Sequence, residues 1–194
     1  MADQKISAMP SAATLTGAEL VPLVQSGANV KATLNSLRAF DNAYGAFSDT
    51  TDQTGSTTVG TAVSMDTVDV ADGITLASST NITVPADGIF SLQFSIQFKN
   101  VTNAQEDVTV WLRINGADLA NSATQYTIPA RKSASIFGYN VASLTFMLDL
   151  NANDYVQMVW LPTSTSVTIE SLPASVTPAY PAIPSVIASI LQVA

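Results

Sequence analysis

From residue 44 onward, apolar and polar side chains alternate with a period of two. The clearest run is 89–99, where Phe90, Leu92, Phe94, Ile96 and Phe98 share one side and Ser91, Gln93, Ser95, Gln97 and Lys99 the other. Successive side chains of a strand point to opposite faces, so this pattern predicts a strand with one buried face. Val108, Val110, Leu112 and Ile114 alternate with Thr109, Trp111 and Arg113, and Asn115-Gly116 follows at once. That dipeptide favours a tight hairpin turn. Ala142, Leu144, Phe146, Leu148 and Leu150 predict another strand, closed by the polar run 151–154, and 155–161 returns with Val156, Met158 and Trp160 on one side. Shorter candidates are 167–169 and 186–193, separated by a loop carrying Pro173, Pro178, Pro181 and Pro184. Upstream, 62–70 and 74–84 read as weaker strands beside a loose 49–60 stretch. Many short strands with polar turns and no long helical period predict an all-β fold: an antiparallel sandwich, jelly roll or barrel.

The first 43 residues follow another pattern. Residues 5–17 read as extended and turn-like, since Pro10 disfavours helix at Met9. A short strand over 19–25 contains Pro22, which confines it to an edge or an end. A turn at 26–29 lets 30–32 pair back, and Thr33 can cap a short helix with Leu34, Leu37 and Phe40 on one face. This segment is too small to hold a core alone and should dock on something else. The expected organisation is therefore an attachment arm over 1–43 and a β domain over 44–194.

Composition narrows the function. The 194 residues suit one domain, or one with a short appendage. Charged residues are only 11%, against about 25% in an ordinary soluble domain. Seven Lys+Arg against 15 Asp+Glu give a net charge of −8, which argues against nucleic acid as a partner because phosphate binding needs clustered cations. There is no His and no Cys, so His-dependent triads, thiol chemistry, disulfides and the commonest zinc sites are excluded. The start, Met-Ala-Asp-Gln-Lys-Ile-Ser, does not read as a signal peptide. No stretch approaches the ~18–20 apolar residues of a membrane span; the 183–193 run is short and contains Pro184. A soluble protein made in a cytoplasm, without membrane insertion, is expected. Scarce charge also suits extensive protein–protein burial, since interface cores are depleted in charged residues.

Few residues offer chemistry. Asp66, Asp69 and Asp72, with Gly73 and Asp87 nearby, form the one dense carboxylate group, and calcium takes such oxygens. On a strand, however, Asp69 would point away from the other two, and the spacing is not that of an EF-hand, so solvated carboxylates are expected. Gly55–Gly60 lacks the Gly-Lys-Ser/Thr ending of a phosphate loop and reads as a flexible connection. Arg131-Lys132 reads as an exposed loop, or else as a contact for an acidic partner. Trp111 and Trp160 could stack on a sugar, but aromatics more often serve cores and interfaces. No enzyme and no cofactor are expected.

Two stretches resemble known families. Lys5-Ile-Ser-Ala-Met-Pro-Ser-Ala-Ala-Thr-Leu-Thr-Gly-Ala-Glu-Leu-Val-Pro-Leu-Val-Gln-Ser-Gly, then Lys31-Ala-Thr-Leu, resembles a leader of tailed-bacteriophage virion proteins. That leader reads approximately K-I-S-x-L-P-x-A-x-x-L-T-G-x-E-x-x-P-V-V-Q-x-G; Met9 stands here for its Leu and Leu23 for a Val. In that group the leader attaches the chain to the particle, which implies attachment through Ile6, Pro10, Leu15, Leu20, Val21, Pro22, Leu23 and Val24. The second resemblance spans about 44–193. Gly88-Ile-Phe-Ser-Leu-Gln-Phe-Ser-Ile-Gln-Phe, Val110-Trp-Leu-Arg-Ile-Asn-Gly and Asn153-Asp-Tyr-Val-Gln-Met-Val-Trp are similar, in order and spacing, to three motifs of the C1q/TNF-like jelly roll. The resemblance implies a compact homotrimer with Phe90, Leu92, Phe94, Ile96, Phe98, Val110, Leu112, Leu144, Phe146 and Leu148 in the jelly-roll core. No calcium-ligand pattern of that family is matched.

Together the resemblances imply a non-enzymatic virion structural protein: a homotrimeric capsid decoration (cement) protein or short head fibre. It would bind the shell through its N-terminal arm, on the outer surface of a virion assembled in the host cytoplasm. The alternative is a tail or neck fibre protein whose knob binds a host-surface glycan or protein receptor.

Overall fold

The computed structural model describes residues 16, 18–34 and 42–194. The chain divides after Asn42 into two compact units. In the first, β1 (Leu20–Gln25) pairs antiparallel with β2 (Ala28–Thr33), with Leu23 opposite Val30 and Val21 opposite Ala32. Ser26 and Gly27 turn the chain with φ of 52° and 77°, the two positive values that a two-residue hairpin of native twist requires. Pro22 sits on this two-stranded ribbon, where both strands are edges. The expected extended leader, Ile6, Pro10 and Leu15, and the helix expected beyond Leu34 lie outside the described residues.

The second unit is built of antiparallel strands. In chain order they begin with β3 (Tyr44–Asp49), β4 (Gln53–Thr54), β5 (Thr61–Ala62), β6 (Thr67–Asp72), β7 (Thr75–Ala77) and β8 (Asn81–Thr83). Then follow β9 (Gly88–Asn100), β10 (Glu106–Ile114), β11 (Ala117–Asp118), β12 (Thr124–Ile128), β13 (Gly138–Leu150) and β14 (Tyr155–Pro162). The last are β15 (Val167–Ile169), β16 (Ser175–Val176), β17 (Ala179–Tyr180) and β18 (Val186–Gln192). Two sheets result. In one, β6, β3, β18, β9 and β13 lie side by side, and β15 and β4 continue along the far end of β9. In the other the order is β7, β8, β14, β10 and β12, with β5 beside β14 and β11 beside β10. The unit is an all-β antiparallel sandwich.

Alternation explains the core. Phe90, Leu92, Phe94, Ile96 and Phe98 from β9, Val108, Val110 and Leu112 from β10, and Val156, Met158 and Trp160 from β14 are buried in one cluster. From β13, Ala142, Leu148 and Leu150 are buried, while Leu144 and Phe146 are half-buried and packed against that cluster. Trp160 lies 5.6 Å from Phe98 between ring centroids, and Phe146 lies 6.3 Å from Phe94. Asn115 and Gly116, with φ of 52° and 81°, make the hairpin turn between β10 and β11. Among the described residues, no helix is long and apolar enough to cross a membrane.

Three upstream expectations need correction. The 74–84 stretch is not one strand but a hairpin of β7 and β8, turned by Ser78 and Ser79 with φ of 51° and 59°. Likewise 62–70 is broken: β5 belongs to one sheet and β6 to the other. The stretch before it is an ordered strap rather than a loose connection. Its β4 end pairs with β15 and its β5 end with β14, so it crosses from sheet to sheet. Two glycines let it lie close: a Cβ on Gly55 would stand 2.9 Å from the Trp160 ring, and one on Gly60 only 2.4 Å from the Trp111 ring.

Candidate assembly interface

The outward faces of the two sheets differ in chemistry. On the sheet of β10 and β14, polar side chains are paired within the chain. Trp111 Nε1 donates to Asp118 Oδ1 at 2.7 Å, and Arg113 Nε donates to the same oxygen at 2.6 Å. These two donors hold the Asp118 carboxyl below the usual carboxylate range. Asp107 accepts from Gln125 Nε2 and Thr127 Oγ1, both at 2.8 Å. The strap covers part of this face, so Val159 is fully buried although its strand parity points it outward. Both tryptophans serve packing. Trp111 clamps the strap with Arg113 and Asp118 beside it, and Trp160 is wholly buried with an indole N–H that has no acceptor.

The opposite face is different. The register of β3, β18, β9 and β13 turns one set of side chains away from the core. These are Tyr44, Ala46 and Ser48; Ile187, Ser189 and Leu191; Ser91, Gln93, Ser95 and Gln97; and Val141, Ser143, Thr145 and Met147. None is charged. Several large apolar groups among them are about half exposed, including Met147 at 62%, Ile187 at 48% and Leu191 at 45%. A shallow groove of ≈340 Å³ runs along Tyr44, Val70, Ser91, Gln93, Ser189 and Leu191. A second of ≈240 Å³ continues it between Ser95, Ser143 and Ile187.

Charge stands only around the margin of this face. At one end, Lys99 forms an ion pair and hydrogen bond with Glu170, and its Nζ lies 4.5 Å from the Phe137 ring centroid. Burial, with the Glu170 carboxylate beside it, pushes the Tyr139 phenol up. At the other end Asp149 faces Ile89, and along the β6 edge Asp69 accepts from Ser48 Oγ at 3.1 Å. The bare centre is notable because this unit carries the whole net charge. Lys5, Lys31 and Arg38 balance Asp3, Glu19 and Asp41 in the other unit, leaving −8 here.

Four strands at ~4.8 Å spacing make this face ~14 Å across, and seven residues at ~3.3 Å make it ~23 Å long. The footprint of roughly 330 Å², before side-chain relief, is about two-fifths of the ~800 Å² that one partner contributes to a standard interface. Uncharged and grooved, the face shares the charge depletion of an interface core, while its five serines make it more polar than one.

The other residues singled out by sequence fall elsewhere. Asp66 is held below its usual carboxyl range by the hydroxyls of Thr67 and Thr50, and Asp69 turns to Ser48. Among the described residues, no group of three acidic side chains converges as a metal site requires. Arg131 is half-buried and Lys132 exposed; their N–H groups donate to Thr102 O and Ile136 O, both at 2.8 Å. On the hairpin of the first unit, Leu20 at 56%, Val24 at 68% and Pro22 are exposed, whereas Val21 and Leu23 are half-buried on the opposite side. No protein-family model matches the chain, and no curated protein matches it.

Proposed function

We propose that the chain is a non-enzymatic bacteriophage virion protein, a homotrimeric capsid decoration (cement) protein or short head fibre. The N-terminal unit binds the shell, and the β-sandwich, a C1q/TNF-like jelly roll, stands on the outer surface of the particle. The observation that carries the self-assembly is the uncharged outward face on a unit that otherwise holds a charge of −8. Like-charged copies repel through most of their surface, so association favours the patch where no charge must be desolvated. The jelly-roll reading is supported by the pairing order, β6-β3-β18-β9-β13 in one sheet and β7-β8-β14-β10-β12 in the other.

Attachment is supported by the leader residues and by the hairpin. A two-stranded hairpin is at best marginally stable alone in water, and this one keeps Leu20, Pro22 and Val24 exposed. Seating them on an apolar shell surface would contribute ~25 cal/mol per Å² removed from water. Three such arms on one trimer would bind with avidity through effective concentration. Assembly would take place in the host cytoplasm.

The test is deletion of residues 1–42. The expected product still sediments as a trimer but no longer joins the particle. A truncated chain that decorated particles as well as the full chain would overturn the attachment role. The rival reading, a tail or neck fibre with a receptor-binding knob, shares the leader and is separated from this one by its copy number.

A further inference from the structure

The chain leaves its sheet after Ile169 and returns at Val186, and no residue from Ser171 to Ser185 is charged. The root of this excursion is firmly built. Leu172 and Ile183 exchange N–H···O bonds at 2.9 and 2.8 Å. The Asp52 carboxylate accepts from Ser171 N at 2.9 Å, and Ser185 N donates to Asp49 O at 2.8 Å. Gln97 Nε2 adds a bond to Pro184 O at 2.9 Å. Beyond this root the arm is a small ribbon of β16 and β17 that holds Val176 91% exposed and Tyr180 45% exposed. A rigid root under an apolar, uncharged tip is a poor solvent loop and a good contact.

Position says with what. Ser185 leads directly into β18, and Asp49 ends β3, so the arm is rooted on two strands of the uncharged face. A partner that covers Ile187 lies beside the root of the arm, two residues from Ser185. The five residue steps from Leu172 to Thr177 reach up to ~17 Å, more than the ~10 Å between packed sheets, so the tip is long enough to pass the seam onto that partner. A neutral tip also meets no repulsion from a body of like charge.

We infer that the arm over 172–183 is a clasp that grips a second copy of this chain. The inference rests on the homo-oligomer reading above and adds the element that slows dissociation. Two variants test it: replacement of residues 173–182 by Asn-Gly, which keeps the Leu172–Ile183 pair, and Val176→Glu/Tyr180→Glu, which changes only exposed side chains. Differently tagged copies are mixed, and exchange is followed by native mass spectrometry, with far-ultraviolet circular dichroism to show that each variant is folded. Subunit exchange at least tenfold faster than in the full chain is the expected result for both variants. Unchanged exchange in a folded, still oligomeric variant overturns the clasp alone and turns the arm toward a foreign protein. A full chain that is monomeric at micromolar concentration overturns both the clasp and the oligomer.

Discussion

Ser189→Arg is the sharpest single perturbation of the uncharged face. Ser189 lies opposite Ala46 on β3 and Gln93 on β9, at the centre of the face, and lines both grooves. Its side chain is exposed in the isolated chain, so an arginine there leaves the core untouched and should change monomer stability by no more than ~0.5 kcal/mol. In the proposed assembly the same arginine would be enclosed, and none of the outward residues around it carries a carboxylate. An unpaired buried charge costs ~3–5 kcal/mol, and each 1.4 kcal/mol is tenfold, so each contact should weaken by about two to three and a half orders of magnitude. Sedimentation velocity across a micromolar dilution series reads the change, and a thermal melt of the monomer serves as the control. The expected variant is a folded monomer under conditions where the parent sediments as the proposed trimer. A Ser189→Arg chain with the parent's sedimentation profile would show that the face is solvent, and the reasoning from charge segregation would fail.

Three further outcomes follow from packing and protonation. Gly60→Ala puts a methyl 2.4 Å from the Trp111 ring and 2.8 Å from Val159 Cγ1; overpacking of this kind costs ~1–3 kcal/mol, seen by calorimetry as a lower Tm. Trp160→Phe removes a buried N–H without an acceptor, so a gain of ~1–3 kcal/mol offsets much of the lost packing; denaturant melts should show far less damage than Trp160→Ala, expected at ~3–5 kcal/mol. Asp154 is held below its usual carboxyl range by Asn115 first and then the Asn151 N–H, and Asp118 and Asp66 are lowered likewise. Depressed folded values mean stability that is full above the ordinary carboxyl range and falls as pH drops through the folded values; melts from pH 6 to 2 should decline mainly below about pH 4, and less steeply in Asp154→Asn.

Period-two alternation made the central strands legible because each buries one face. The parity that puts Phe90 to Phe98 inside also puts Val108, Val110 and Leu112 inside across the sandwich. Asn115-Gly116 marked its turn because two positive φ values suit those residues. The β7–β8 hairpin was hidden because Ser78 and Ser79 take such values without a glycine or asparagine to announce them. The strap was hidden because its order comes from Gly55 and Gly60 lying against two rings distant in sequence, a close approach that leaves no periodic trace. Val159 reads as outward by parity and is buried by that same strap.

The uncharged face was written in the sequence but could not be assembled from it. Ser91, Gln93 and Ser95 look like a solvated side, as do Ser143, Thr145 and Ser189 on their own strands. Only the register that sets them next to Tyr44, Ile187, Leu191 and Met147 shows one continuous patch without charge. The exposed parity of the hairpin likewise separates Leu20, Pro22 and Val24 from Val21 and Leu23, all five of which the leader resemblance implies for attachment.

The most direct test of the proposed virion role is the copy number of this chain in purified particles of its proposed phage, measured by quantitative mass spectrometry against the major capsid protein. A ratio comparable to the capsid protein is the predicted result and establishes decoration of the shell. A handful of copies per particle would contradict decoration and move the chain to the tail or neck, and its absence from the virion would contradict the whole reading.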